Sequence, residues 1–312
     1  MALVKKEIKM KLATTTGDFG FYTKDYVEQI RHIKEAGFKY IDLSLYSPAA
    51  DDPLFSDNWK MEAARIKNYV EENGLKFVQS HGFNCNCLGG EEKYKEAIDK
   101  TIRCIEICAE LGIPNTVVHS GFSLDYKEKD AWFEKNREFV KELIPAMEAT
   151  GVEVLCENST VSNMGERYFL NNGKDTREFV DYVSHPLFAA CWDTGHANCE
   201  GNQYDDIIAL GDAMHAIHFN DNGGKKDDHL VPYMGTMNSD EIMHALIDIG
   251  FKGPLTFECG ALHGPKYWLG KRRVFEADTR LVNPTLKMHK KLEELLYTVG
   301  EHILTSYGMF EE

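Results

Sequence analysis

Leu187-Phe188-Ala189-Ala190-Cys191-Trp192-Asp193-Thr194-Gly195-His196 stays apolar as far as Trp192, turns acidic at Asp193, and leaves the run at once through threonine and glycine. A short apolar run bounded by turn-forming residues reads as a buried strand, here with a carboxylate at its carboxyl end. Three other segments repeat the pattern. Val152, Val154 and Leu155 lead to Glu157; Met214 and Ile217 lead to His218; Leu255 and Phe257 lead to Glu258. Side chains at the ends of successive parallel strands converge in a closed barrel, so acid or imidazole groups at consecutive strand ends specify a metal site made of Glu157, Asp193, His218 and Glu258.

The same unit recurs upstream. Residues 7–13, 38–44, 75–80 and 114–119 read as strands one to four, the last two leading to His81 and His119. Tyr94, Ala97, Ile98, Thr101, Ile102, Ile105, Cys108 and Leu111 fall at three- and four-residue spacing, which puts them on one helical stripe facing a sheet. Residues 24–36, 58–73, 128–149, 174–183, 203–210, 239–249 and 285–303 give the other helices. Gly37, Gly74, Gly112, Gly151 and Gly250 follow five of them, where a left-handed residue closes a helix cheaply. The expected fold is α/β, a (β/α)8 TIM barrel occupying residues 1–312 as a single domain. A doubly wound sheet would use the same alternation, but Thr14-Thr15-Thr16-Gly17-Asp18 stands where its glycine-rich fingerprint would follow the first strand.

The chain has 312 residues, against roughly 250 for an ordinary barrel, and the excess falls in strand-following loops. Its 43% hydrophobic and 27% charged content fit a soluble globular protein. Four lysines interrupt residues 1–12, no apolar stretch is long enough to span a bilayer, and the expected location is the cytoplasm. The eight cysteines read as free and non-ligating, since Cys85-Asn86-Cys87 lacks a second pair at zinc-ribbon spacing. A net charge of −15 argues against a broad electrostatic hold on nucleic acid, although a multivalent metal would add positive charge locally.

Each candidate residue has a plainer alternative. Glu157 and Glu258 could each be held by a lysine or arginine as a structural ion pair; the coincidence of four such strand ends favours ligation. Asp193 could merely cap a helix, but that leaves His196 unexplained, so Asp193 is assigned as ligand and His196 as a substrate contact. On the strand carrying both, spacing of three puts His215 and His218 on opposite faces; His218 is the ligand and His215 packs near the helices. His81 and His119 are expected to face the site. Lys225, Asp227 and His229 lie in the polar loop after His218 and are assigned to substrate, while Asp228 is read as solvated.

Cys156-Glu157-Asn158, Trp192-Asp193-Thr194-Gly195-His196, His218-Phe219-Asn220-Asp221, His229-Leu230-Val231-Pro232-Tyr233-Met234-Gly235 and Phe257-Glu258 together resemble the strand-end motifs of the xylose-isomerase-like barrel superfamily. That superfamily joins sugar-phosphate isomerases and epimerases to the type IV apurinic endonucleases. Resemblance to the ketose 3-epimerase branch implies one divalent ion, manganese first with magnesium, cobalt or zinc as alternatives, on the residues matching Glu157, Asp193, His218 and Glu258. It also implies that the two glutamates serve as base and acid on opposite faces of the bound carbon. Three carboxylates and one imidazole form a hard, mostly oxygen site with room for sugar oxygens. The substrate so implied is a small sugar or polyol, and the role is in carbohydrate metabolism.

The chain departs from that branch in two places. An arginine usual a few residues after the histidine matching His218 is replaced by Asn222-Gly223-Gly224-Lys225-Lys226, and lysine lacks the planar fork of arginine. The common Pro-Gly-x-Gly turn has Tyr233 at its first glycine. The endonuclease branch resembles the chain at His81, His119, Glu157, Asp193, His196, His218, Asp227, His229 and Glu258, which there hold three zinc ions; the acidic balance argues against a DNA groove. Elimination, as in a dehydratase or a C-glycoside-cleaving subunit, would use the same deprotonation, and a non-catalytic sugar-binding protein is the remaining class. Specificity is expected in residues 261–284, with Lys266, Tyr267, Trp268, Lys271, Arg272, Arg273 and Arg280 forming a lid or a homo-oligomer contact, and in residues 159–174 as a second wall.

Overall fold

The computed structural model describes residues 8–123, 125–165, 168–201, 203–260 and 284–311. Eight parallel strands close into a barrel in chain order, with β1 (Leu12–Thr15) paired to both β2 (Tyr40–Ser44) and β8 (Leu255–Phe257). Between them lie β3 (Lys76–His81), β4 (Asn115–Val118), β5 (Glu153–Glu157), β6 (Phe188–Asp193) and β7 (Met214–Phe219). The outer ring comprises α1 (Tyr26–Ala36), α2 (Trp59–Glu72), α3 (Glu91–Leu111), α4 (Lys129–Thr150), the short α5 (Val161–Met164), α6 (Gly173–Val183), α7 (Thr194–Glu200), α8 (Gln203–Leu210), α9 (Ser239–Ile249) and α10 (Leu286–Ser306). Closure excludes the doubly wound alternative.

Local chemistry sets the helix ends. Asp25 Oδ1 accepts the Val27 amide at 2.8 Å and starts α1 two residues later than the sequence pattern suggests, and Gly112 ends α3 at φ 71°. The stripe expected on α3 is buried at Ala97, Thr101, Ile105, Cys108 and Leu111. β1 differs from its expected span of 7–13. Met10 pairs instead with the chain's end, donating to Met309 O at 2.7 Å and accepting from the Glu311 amide at 3.0 Å, and the strand runs on through the buried Thr14 and Thr15.

Strand alternation divides the interior into two zones. Val154, Cys156, Trp192, Ile217 and Phe257 face the helices in the main apolar core, whereas Val117, Leu155, Ala189, Cys191 and Ala216 form a separate cluster inside the barrel. Small residues in that plug leave room above it. Two register shifts break the alternation: on β2–β3 Ile41 and Asp42 pair with Phe77 and Gln79, which skips Val78, and on β6–β7 Ala190 and Cys191 pair with Met214 and Ala216, so His215 occupies a bulge. It does not pack on the helices as expected; its Nδ1 meets Glu153 Oε2 at 2.9 Å and it remains exposed. All eight cysteines carry free thiols, and among the described residues no helix is long and apolar enough to cross a membrane.

Beside the barrel, Glu293 of α10 is fully buried, accepts Thr14 Oγ1–H at 2.7 Å on Oε1, and makes no hydrogen bond on Oε2, where His289 Nε2 stands 4.0 Å away. Burial pushes its carboxyl from an ordinary 4.5 up to about 7. Folded Glu293 therefore holds its proton where the unfolded chain releases it, and this group's contribution to stability falls as pH rises from about 4.5 to about 7. Glu293→Gln should melt as wild type does at pH 5 but be more stable at pH 8, by up to about 3 kcal/mol at roughly 1.4 kcal/mol per pKa unit. Thermal melts at both values check this; a variant less stable at pH 8 would refute the assignment.

Candidate active site

Inward positions at the carboxyl ends of β3 to β8 bring His81, His119, Glu157, Asp193, His218 and Glu258 above the small-residue plug, and Asp227 and His229 join them from the loop after β7. Glu157 is the centre. It is fully buried, its Oε1 accepts His218 Nδ1–H at 2.6 Å, and its Oε2 lies 3.4 Å from His81 Nε2 and 3.2 Å from His119 Nε2. His218 Nδ1 is also 3.3 Å from Glu258 Oε2. The His81 and His218 rings stack at 5.3 Å, and Tyr46 meets His81 edge-on at 4.8 Å.

A second group stands beside the first. His196 Nδ1–H donates to Asn158 O at 2.9 Å, and His229 Nδ1–H donates to Glu258 O at 2.8 Å. With both Nδ1 atoms tied to carbonyls, the two Nε2 atoms converge on Asp227 Oδ2 at 3.1 and 3.0 Å. Asp193 serves α7 and the site at once. Its Oδ1 accepts the His196 amide at 2.6 Å as the helix N-cap, its Oδ2 accepts Asn220 Nδ2–H at 2.7 Å, and its own amide donates to Asn158 Oδ1 at 2.6 Å.

Charge follows geometry. Burial alone would raise the Glu157 and Glu258 carboxyls, but the surrounding imidazoles, His218 above all, outweigh it and hold both below the ordinary carboxylate range. Burial lowers His119 to about 4, so it stays neutral with a lone pair to give. Burial would also lower His196, yet Asp193 and Asp227 lift it to about 10.

The donor types suit a divalent cation. Ligand-type atoms of His81, Glu157, His218 and Glu258 lie within 4.8 Å of one another, as do those of His196, Asp227 and His229, and those of Glu157, Asp193 and His196. Buried Glu157 Oε2 makes no well-formed hydrogen bond, with only His81 and His119 Nε2 nearby at 3.4 and 3.2 Å, and a carboxylate oxygen so placed would be completed by a cation. The expected quartet does not form one ligand-type group among the described residues: Glu157, His218 and Glu258 group with His81, while Asp193 groups with Glu157 and His196. Lys225 stands exposed, away from the cavity lining, and Asp228 is half-buried. Most of the expected lid, residues 261–283, lies outside the described residues, as does Arg167 of the second wall.

Two cavities of about 620 and 710 Å³ open on either side of the cluster and share Tyr46, His229 and Glu258. The smaller is lined by histidines, Asn84, Asn163 and Ser162; the larger lies between the loops after β1 and β2, against Phe21, Pro48 and Pro53. Several of these residues carried no signal of their own in the sequence. Tyr46 and Asn84 lie in loops without a motif, but Gln79, which touches His218 Nε2 at 2.7 Å, sits two residues before His81 on the same strand face and period two alone would have found it.

Gly195 shows how tightly the second group is built. A Cβ there would lie 1.8 Å from Asn220 Oδ1, on the side chain that holds Asp193. Gly195→Ala should displace Asn220, release Asp193 and weaken divalent-metal binding about tenfold or more while the circular dichroism spectrum stays helical; isothermal titration decides, and unchanged affinity would refute the role given to this contact.

A D-psicose 3-epimerase from Ruminiclostridium cellulolyticum is 25% identical over 245 residues, 75% of this chain and 78% of that protein. A fructoselysine 3-epimerase from Shigella flexneri is 24% identical over 203 residues, 64% of this chain and 71% of that protein. Among solved structures, a D-psicose 3-epimerase from Clostridium cellulolyticum, crystallised with D-tagatose, shares the fold at a TM-score of 0.73 and 18% identity, covering 95% of this chain and 99% of the other. The family model for xylose isomerase-like TIM barrels matches residues 30–277, and the chain belongs to that family.

Proposed function

We propose that this protein is a divalent-metal-dependent sugar epimerase or isomerase that moves a proton at a carbon next to a carbonyl. The observation that carries the reading is the meeting of two glutamates on one imidazole, with Glu157 and Glu258 at 2.6 and 3.3 Å from His218 Nδ1. Its similarity to ketose 3-epimerases supports the same chemistry.

A proton α to a carbonyl is too weakly acidic for a carboxylate to take unaided. A divalent ion held by Glu157, His218, Glu258 and either Asp193 or His81, manganese being our first choice, would polarise the carbonyl and stabilise the enediolate. Glu157 and Glu258 are placed for the proton transfers: one enters ionised and removes the proton, the other enters protonated and gives its own to the carbon, and both regain their starting states through solvent. Return to the opposite face epimerises the carbon, and return to the neighbouring carbon interconverts aldose and ketose. His196, fixed through Nδ1 on Asn158 O, turns Nε2 toward the cavity and a substrate oxygen.

A second reading has its own observation. His196, Asp227 and His229 form a further ligand-type group, as a multi-zinc phosphodiesterase would need. Metal counting separates the two. Elemental analysis of protein purified without chelator should give about one manganese, cobalt or magnesium per chain, with solvent deuterium entering a ketose next to its carbonyl; two or three zinc ions and no exchange would favour hydrolysis. Glu157→Gln and Glu258→Gln should each lower turnover by at least about 10²–10⁴-fold with folding intact, and an active variant of either would remove the two-glutamate mechanism.

A further inference from the structure

Among the described residues, the two cavities at the glutamate pair meet only at Tyr46, His229 and Glu258. Glu157 lines the 620 Å³ cavity alone, with His81, His119 and His196, whereas Glu258 lines both. A sugar whose reacting carbon lies between the two glutamates is therefore held in the smaller cavity, with one end turned past Glu258 toward the 710 Å³ cavity beyond. Both volumes fall in the roughly 300–1,000 Å³ range of pockets that enclose a drug-sized ligand. A single free ketose is smaller than such a ligand and would use only one of them.

The larger cavity is built to bind. Asp18, only 4% exposed, lies in its wall with Oδ2 making no hydrogen bond, and a buried polar atom in that state calls for a partner. The neighbouring Asp52 is already satisfied, accepting Tyr26 O–H at 2.8 Å on Oδ2 and the Leu54 amide at 2.9 Å on Oδ1. Ser44, Ser47 and Gln29 add hydroxyl and amide groups, and Tyr46, Pro48 and Pro53 add apolar faces. A sugar ring matches this mixture, with hydroxyls around its edge and C–H groups on its faces. Burial above all raises the Asp18 carboxyl well above its ordinary range, so it keeps its proton and can both donate to and accept from a hydroxyl, whereas an ammonium would need it ionised. A phosphate would meet Asp51 and Asp52 with Lys24 as the one cation in the wall among the described residues.

We propose that the substrate is a ketosugar bearing a second sugar, with the reacting sugar in the smaller cavity and the second ring in the larger, where Asp18 pairs with one of its hydroxyls. This rests on the epimerase reading above and names its substrate class. Contacts to the second ring hold the reacting carbon between the glutamates, so binding far from the chemistry raises the rate.

The test follows solvent deuterium entering the carbon next to the carbonyl, using the whole protein supplied with Mn²⁺. The probes are D-fructose, the reducing disaccharides isomaltulose and lactulose, and fructosyl-lysine. For at least one disaccharide kcat/KM should exceed that for fructose about tenfold or more. Asp18→Leu removes the partner and should lower the disaccharide-to-fructose ratio about tenfold or more. Ser47→Trp, at an exposed loop position, narrows the larger cavity and should lower the ratio likewise even if the Asp18 variant fails to fold. Fructose exchanged as fast as both disaccharides, or a ratio left unchanged by Ser47→Trp, would overturn the proposal and leave the epimerase reading standing. Faster exchange of fructosyl-lysine than of either disaccharide would overturn the second sugar in favour of an amine. No exchange with any of the four probes would count against the epimerase reading itself, and the proposal would fall with it.

Discussion

A carboxylate buried at the centre of a barrel is the constraint on which the rest depends. Glu157 has no exposed surface, and taking an ion of this kind out of water costs several kcal/mol before any compensation. The chain supplies His81, His119 and His218 around it from three other strands or strand ends, so the cost is met by convergence across the barrel. Sequence-adjacent residues could not do this, because a strand sends its neighbours to opposite faces. The closed topology and the ionised Glu157 are thus one fact seen at two scales.

Support for the imidazoles comes from backbone. His196 and His229 each donate Nδ1–H to a main-chain carbonyl, and those carbonyls belong to Asn158 and Glu258, residues at or beside the acidic strand ends themselves. A shift of β5 or β8 would therefore move a carboxylate and the ring it orients together. Asn158 and Asn220 each bind Asp193, which ties the ends of β5 and β7 to β6 and fixes the order of the site to the order of the strands.

Strand-end chemistry was legible because it needs only two readings, an apolar run and the residue that ends it. Glu157, Asp193, His218 and Glu258 came from those readings, and the eight-fold alternation came with them. The bulge at His215 did not, because an inserted residue leaves the apolar pattern unchanged while altering where one side chain goes. Nor did the division of labour at Asp193. Cap and ligand looked like rival roles in the sequence, yet in the structure the carboxylate that caps α7 also belongs to a ligand-type group, since α7 begins at the strand end. The first strand was misplaced for a different reason: Met10 pairs with residues near the chain's far end, and no local pattern reports a contact of that separation.

The placement of the two glutamates bears on what kind of reaction the barrel could host. Hydrolysis needs one activated water and a stabilised leaving group, and carboxylates serve there chiefly as ligands. Proton transfer in both directions across one carbon needs one ionised and one protonated carboxyl whose affinities are close enough to exchange roles. Glu157 and Glu258 share His218 and are both held below the ordinary carboxylate range by it, so a change at that imidazole acts on both. Epimerisation asks for this kind of coupling, because the group that is base in one direction is acid in the other.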